Sequence, residues 1–340
     1  MTPESAQYMA LAQELMRRCY AEEDAEMLRQ WLGDQLARMG AADDAAVMTW
    51  PESFDFYEAL MVKREQDAML PPEHRKVLDW AWSSWNHLID PLEPGMLAVV
   101  TAGDGQGKTI YAECLAEHWA RKKNRVVFVH YELNRALMMD RRTARHTGIP
   151  RRVLKSGQMT PQQKQQVLQI RPKLLAWDGY ITYLHTPGWT MEKTVQELRR
   201  LKAEGNCDVV ALDYLEKNAA SRRQLQMFGS NTFQREADNV EQLKNFAEST
   251  ETPVLMLAQM SKAGKSAKFD DLDRTDMRGA GEKSEKANIV VLLHREKLGS
   301  TGEYSPNVSV RVDKNTVGAT GNFTQYMHPE LFSVHDMEEE

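Results

Sequence analysis

Apolar residues along the chain follow two rhythms, and the change between them falls near residues 75 to 90. Up to residue 48 the apolar positions recur every three or four residues, as in Met9, Leu11, Leu15 and Met16, and again in Met27, Leu28, Trp31 and Leu32. In stretches rich in Ala, Leu, Met, Glu and Arg, that spacing predicts two or three helices. Trp50-Pro51 ends the stretch, because the residue before a proline avoids helical backbone. Residues 52 to 70 read as helix again, and Pro71-Pro72 is a break.

From about residue 96, short unbroken apolar runs take over: Leu97–Ala102, Val126–His130, Ile181–His185, Val209–Asp213, Val254–Ala258 and Ile289–Leu293. Runs that do not alternate predict strands buried on both faces. Longer helical segments lie between them, which predicts right-handed crossovers and a mainly parallel sheet. Val308–Asp313 and then Gly318–Thr324 read as a closing strand pair. The expected organisation is a small helical N-terminal region over 1–75, an α/β domain over 76–330 and an acidic tail over 331–340.

Composition narrows this only a little. At 340 residues, 42% hydrophobic and 27% charged, the chain suits one large globular domain with a smaller appendage. No run approaches the roughly 18 apolar residues of a membrane span. The opening MTPESAQYMALAQELMRR lacks the basic start and apolar core of a secretory signal. Cys19, Cys114 and Cys207 have no metal-ligand spacing and suit a reduced, cytoplasmic setting. A net charge of −6 sets aside a dedicated basic DNA coat, but not a local basic patch.

The chemistry concentrates after the first apolar run. Leu97–Thr101 leads into Ala102, Gly103, Asp104, Gly105, Gln106, Gly107, Lys108 and Thr109, and a helical pattern follows from Ile110. This is the G-x-x-x-x-G-K-[ST] phosphate loop with Ala102 in the first glycine position. The glycines let successive backbone N–H groups turn inward onto phosphate oxygens, and the helix N-terminus adds its positive end. Lys108 is expected on the β- and γ-phosphates and Thr109 on a Mg²⁺ ion. The pattern therefore predicts binding of a nucleoside triphosphate.

Three strand ends supply candidate partners. Asp213 closes an apolar run, at the ligand edge of a parallel sheet, and is the candidate second Mg²⁺ group. Glu132 follows the run Val126–Tyr131. Spacing leaves it open between a general base and a helix N-terminal Glu favoured by the dipole. Gln259 follows Val254–Ala258, and position leaves it open between reading the γ-phosphate and simply ending a strand.

Taken in order, these segments resemble the RecA-like ATPase domain of the DnaB-type hexameric replicative helicases, over roughly residues 76 to 325. Leu88 to Gly95 resembles the stretch ahead of the phosphate-loop strand. Tyr131-Glu132-Leu133 resembles the family's Ser-Leu-Glu-Met, and Leu212-Asp213-Tyr214-Leu215 its Ile-Asp-Tyr-Leu. Leu257 to Ser261 is similar to Leu-Ser-Gln-Leu-Ser, and Asp276 to Gly281 to Asp-Leu-Arg-Glu-Ser-Gly. Ala287 to Arg295 and Val312-Asp313-Lys314 with Gly318 to Gly321 resemble the closing strands. The resemblance implies that Glu132 is the catalytic base, that ATP and Mg²⁺ are bound, and that neighbouring subunits of a ring, hexameric in the family, share each ATP. It implies that Lys314 reaches the next subunit's phosphates. The arginine that follows two residues later in the family is Thr316 here. Arg311, three residues from Lys314, would point to the opposite face of a regular strand.

The resemblance also implies two DNA-facing loops. One runs from Lys217 to Arg235, reads as flexible and polar, and carries Arg222 and Arg223. The other carries Lys262, Lys265 and Lys268, then an acidic run, then Arg278. Lysines among Gly, Ser and Ala suit sequence-independent contact with phosphates of single-stranded DNA; a solvated surface loop is the alternative. Arg141, Arg142, Arg145, Arg151 and Arg152 form a second basic cluster, open between a subunit interface and an exposed helix face. The leading expectation is an ATP-dependent ring helicase of DNA replication, with a primase, loader or polymerase as partner. It would lie in the cytoplasm, or in a host's cytoplasm if phage-encoded. The alternatives are a RecA-like DNA-binding ATPase that mediates or loads without unwinding, and an assembly protein that nucleotide closes into a ring.

Overall fold

The computed structural model describes residues 3–20, 27–28, 31–33, 35, 50–70, 77–131, 135–213, 215–261, 264, 268–277, 280–299 and 302–337. The chain divides into two units, Met1–Pro71 and Pro72–Glu340, close to the change of rhythm in the sequence. In the first unit the described helices are α1 (Pro3–Tyr20) and α2 (Trp50–Met69). Pro51 does not exclude Trp50 from helix. It sits in the first turn of α2, where a missing N–H costs nothing. Trp50, Phe54, Tyr57 and Met61 are spaced four, three and four residues apart, so they share one face of α2, and all four are exposed.

The second unit is built on a nine-stranded sheet. Its strands are β1 (Leu97–Ala102), β2 (Val126–His130), β3 (Ile181–His185), β4 (Val209–Asp213), β5 (Val254–Gln259), β6 (Ile289–His294), β9 (Asn307–Asn315), β10 (Gly321–His328) and β11 (Ser333–Asp336). A separate two-stranded ribbon pairs β7 (Lys297–Leu298) with β8 (Glu303–Tyr304). The order across the main sheet is β11-β10-β9-β6-β1-β5-β4-β2-β3. From β6 to β3 every pairing is parallel, whereas β9, β10 and β11 run antiparallel.

The helices of this unit are α3 (Ser83–Asn86), α4 (Lys108–Arg121), α5 (Arg135–Thr147), α6 (Arg151–Ser156), α7 (Pro161–Asp178), α8 (Met191–Ala203), α9 (Arg222–Phe228), α10 (Thr232–Ser249) and α11 (Ala280–Lys286). Alternate residues of each central strand feed two cores, as a period of two requires. Ala98, Val100 and Ala102 join one core with Trp85, Tyr111 and Trp119. Leu97 and Val99 join the other with Met191, Leu198, Leu243 and Phe246. Among the described residues, no helix is long and apolar enough to cross a membrane.

Two expectations change. The segment read as an acidic tail supplies β11, hydrogen-bonded to β10. Asp336 faces inward, accepting from Ser83 Oγ at 2.6 Å, from the Ser84 hydroxyl and from Gln325 Nε2 at 3.0 Å. The span from Lys217 to Arg235 is largely helical. Ser221 and Gln224 form a capping box at α9, and Asn231 caps α10 by accepting from Gln234 N.

A tryptophan cluster joins the lead-in segment to the far end of the chain. Trp80 and Trp85 lie 5.1 Å apart between ring centroids, and Trp82 lies 5.0 Å from Tyr111 on α4. Every indole N–H in the cluster has a partner, as a buried ring requires. Trp82 donates to Val334 O, Trp85 to Gln325 Oε1, Trp80 to Asp90 O and Trp119 to Asp79 O.

The Arg141 to Arg145 cluster turns out to be neither an exposed face nor a bare basic patch. Arg145 bridges Glu113 at 2.6 Å and Glu117 at 2.7 Å, Arg141 reaches Glu113, and His146 reaches Glu117. The carboxylates belong to α4 and the cations to α5, so the network locks the two helices. Burial alone would raise the Glu117 carboxyl; Arg145, His146 and Arg142 outweigh it and hold the group below its usual 4.5. Arg151 and Arg152 lie apart, near Asp140 and Glu330.

Two predictions follow from this packing. Trp85→Ala should cost about 3–5 kcal/mol in urea unfolding; a loss under about 1 kcal/mol would mean that the ring is not a structural anchor. Glu117→Gln should cost about 3–5 kcal/mol at pH 7, because Arg145 is left buried with too little negative charge. Since the folded carboxyl is held low, its contribution is present above pH 4.5 and is lost as the pH falls through the depressed value. The difference between wild type and variant should therefore shrink in acid; a gap that is constant with pH would contradict the ionic account.

Candidate nucleotide-binding site

Parallel pairing brings the expected groups to one edge. Ala102 is in register with Gln259 on one side and Leu293 on the other, and His130 with Asp213. The loop leaves this edge after Ala102 and turns into α4. Gly105 and Gly107 take positive φ of 72° and 100°, which L-residues rarely adopt. Gly107 is also confined: a Cβ there would lie 2.9 Å from Met327 Sδ and closer still to its Cε.

Lys108 is buried and folds back across the loop, donating to Ala102 O at 2.8 Å and Gly103 O at 3.0 Å. Gln106 braces the loop. It accepts from Gly103 N and donates to Arg295 O.

Thr109 Oγ1 donates to Asp213 Oδ2 at 2.7 Å. The other oxygen, Asp213 Oδ1, is buried and has no hydrogen-bond partner among the described residues. Burial, with a contribution from Glu113, pushes the Asp213 carboxyl up to about 6 despite the Thr109 hydrogen bond and the nearby Lys108 and Arg141. A hydroxyl and a carboxylate with an unused buried oxygen form a hard-oxygen donor set that fits a Mg²⁺ ion.

Gln259 ends β5 beside the loop. Its amide donates to Asp104 Oδ1 at 3.1 Å, and its backbone N–H donates to Glu216 Oε1. Glu216 is held by Lys283, 1% exposed, which also reaches Glu236. Asp104 has a second partner that sequence reasoning missed: its carbonyl accepts from the Tyr304 hydroxyl at 3.0 Å. A cleft of about 1010 Å³ opens here, lined by Gly103, Asp104, Gln106, Lys268, Arg295 and Tyr304 among others. Nothing in local sequence signals this, because Tyr304 arrives on the short ribbon β7–β8.

The remaining expected residues fall into two groups, those outside the described residues and those placed away from Asp213. Glu132, Lys262, Lys265 and Arg278 lie outside the described residues. Lys268 is exposed and lines the cleft beside the loop. Arg222 is exposed at the start of α9, but Arg223 is committed to Asp238 at 2.6 Å and Glu192 at 3.5 Å, a structural pairing. Lys314 donates to Ser284 O and Glu285 O at the end of α11. It pairs with Val290, level with Val99, on a strand two places from β1 and four from β4. At about 4.8 Å per strand, that is roughly 19 Å from the strand of Asp213, beyond the reach of a lysine.

β9 is not regular: its register shifts between Val290 and Val291. Strict alternation therefore does not decide where Arg311 points. Its contacts do: the guanidinium lies 4.8 Å from the Phe269 ring centroid and donates to Leu272 O and Asn322 Oδ1.

Comparison with known proteins agrees with this fold. The profile of the DnaB-like helicase C terminal domain matches residues 80–335. The replicative DNA helicase DnaB of Geobacillus stearothermophilus is 25% identical over 227 residues, covering 66% of this chain and 49% of the relative. A probable plasmid replicative DNA helicase of Chlamydia trachomatis is 23% identical, covering 71% and 50%. The chain thus spans about half the length of these relatives. Among solved structures, the ATPase domain of G40P superposes with a TM-score of 0.71 at 15% identity, covering 83% of this chain and 98% of that one. A DnaB-like replicative helicase, solved in a study of its interactions with primase, gives 0.75 at 14%, covering 98% and 76%. The profile spans the whole sheet, from the tryptophan cluster to β11, and the chain belongs to the DnaB-like helicase C-terminal domain family.

Proposed function

We propose that this chain is an ATP-driven motor that assembles into a ring, translocates on single-stranded DNA and separates duplex during replication. The observation that carries the reading is the convergence of Lys108, the Thr109–Asp213 pair and Gln259 on one sheet edge of a DnaB-like fold. The amides of Gly103 to Lys108 would wrap the phosphates of ATP, with Lys108 released from its carbonyls onto the β- and γ-oxygens. Thr109 and Asp213 would hold Mg²⁺, which when bound neutralises charge on those oxygens. Glu132 is assigned to orient and deprotonate the attacking water. Its position two residues past His130 supports this, because His130 is paired with Asp213.

Gln259 supplies the coupling. Its amide can exchange Asp104 for a γ-phosphate oxygen, and the segment that follows carries Lys262 and Lys265 toward DNA. With Lys268, Arg222 and Arg278 these form the proposed backbone-tracking set; Arg223 contributes by fixing α9. The exposed stripe on α2 is assigned to grip a neighbouring copy, and a primase is the proposed partner of the assembled ring.

One observation favours the second reading, a RecA-like DNA-binding ATPase that loads or mediates without unwinding. Thr316, exposed where the family places an arginine, cannot neutralise phosphate charge.

Strand displacement on a forked duplex with ATP and Mg²⁺ tests the motor directly. Wild type should displace the strand, and Lys108→Ala should lower hydrolysis by about 10²–10³-fold or more and abolish displacement. DNA-stimulated hydrolysis without displacement would sink the motor and favour the second reading. Mass photometry should show rings, six copies expected, that depend on ATP and Mg²⁺. A Trp50→Ala, Phe54→Ala double variant should shift that population toward single copies, whereas unchanged rings would remove α2 from the interface.

A further inference from the structure

The arginines packed around the phosphate loop are already engaged. Arg141 and Arg145 are held by Glu113 and Glu117. Arg295 is buried and donates to Ser305 O at 2.6 Å and Tyr304 O at 3.2 Å. Phosphoryl transfer spreads negative charge over the oxygens of the transferring group, and a well-placed guanidinium offsets it with a fixed, planar set of donors. An arginine for this site has to come from elsewhere.

On the far flank of the sheet, Arg274 and Lys314 line a shared open cavity of about 320 Å³, with Thr275, Gly281, Ser284 and Glu285. Two local devices bring them together. Asp273 caps the short turn Arg274–Asp276, accepting from Thr275 N, and Arg274 N donates to Asp313 Oδ2 at 3.2 Å. The irregularity in β9 falls at this same point, between the partners of Val290 and Val291, and bulges of this kind re-aim side chains.

The Arg274 side chain is 47% exposed, and it is held to Asp313 only by long contacts, 3.4 Å to the carbonyl and 3.7 Å to the carboxylate. Burial lowers the Lys314 ammonium from its usual value, and the Arg274 charge lowers it further, with Glu285 as a partial offset. The cavity sets two cations, two hydroxyls and a glycine against one carboxylate, Glu285, and that excess of positive charge suits a phosphate group.

We propose that Arg274, beside Lys314, contacts the terminal phosphates of the nucleotide held by a second copy of this chain, supplying the arginine that Thr316 does not. Lys314 lies on a strand two places from β1 and four from β4, and at the level of Val99 it is three residues short of the edge where the loop begins, so a second copy is the partner that the ring reading supplies. A head-to-tail arrangement, in which one copy's flank meets the next copy's loop, is the type of interface that closes into rings. The inference rests on the ring-ATPase reading above.

Steady-state ATP hydrolysis by the full chain, with single-stranded DNA present, tests it in three arms. Arg274→Ala should lower kcat by about 10²-fold or more with the KM for ATP changed only a few-fold, and Arg274→Lys should recover little of the loss. Thermal melting and binding of a fluorescent ATP analogue should match wild type, which separates this effect from misfolding. Mixed rings of Arg274→Ala with Lys108→Ala copies should regain hydrolysis, because the second supplies Arg274 to the intact loop of the first. Wild-type kcat in Arg274→Ala would overturn the proposal, as would mixed rings, verified by mass photometry, with no regain. If the wild type binds ATP but never hydrolyses it, the ring-ATPase reading itself fails and the proposal goes with it; a hydrolysing wild type with an indifferent Arg274 overturns the proposal alone.

Discussion

A strand buried on both faces has nowhere to place a polar group except at its ends. That constraint organises the whole second unit. β1 is fully buried along its length, and its neighbours on both sides are as apolar. The first polar chemistry therefore appears where the strands stop. Because the pairing is parallel, they stop at the same edge. Asp213, Gln259 and the loop after Ala102 meet there as a consequence of register. No long-range polar contact is needed to draw them together. The energetic cost falls on Asp213, whose carboxyl is buried at that edge with one oxygen unused.

A second constraint holds the edge still. α4 carries Lys108 and Thr109, and it is gripped on two sides. The tryptophan cluster and Gln325 hold it through Tyr111, whose hydroxyl donates to Gln325 Oε1 at 2.9 Å. The Glu113 and Glu117 pairs hold it to α5. α5 begins three residues after Glu132, so the same ion pairs that fix the phosphate helix also fix the helix leading away from the assigned base.

Much of this was legible in the sequence. Apolar runs marked each of the six parallel strands, and the glycine spacing marked the loop, because both are local signals; the expectation of burial on both faces fails only for β3, which lies at the sheet edge and is largely exposed. The placing of Asp213 and Gln259 at strand ends was legible for the same reason. What was hidden depends on contacts between distant segments. Asp336 looked like part of a charged tail, yet Ser83 and Ser84, some 250 residues earlier, receive it. The pairing of Arg223 with Asp238, one helix later, was hidden for the same reason. The α9 capping box could have been found: Ser221 and Gln224 carry the Ser-x-x-Gln spacing that argues against a flexible loop. The bulge in β9 could not, since no glycine or proline marks it.

Met327 brings the hairpin of β9 and β10 up against the phosphate loop. Its sulfur end fills the space beneath Gly107, at the turn of the loop. The same hairpin carries Lys314 on its other strand, and a paired β-ribbon is stiff along its length. A side chain at Gly107 would have to displace the Met327 methyl. The closing hairpin and the positive φ together leave this turn of the loop to glycine, so a segment more than 200 residues away in sequence sets which residue can stand there.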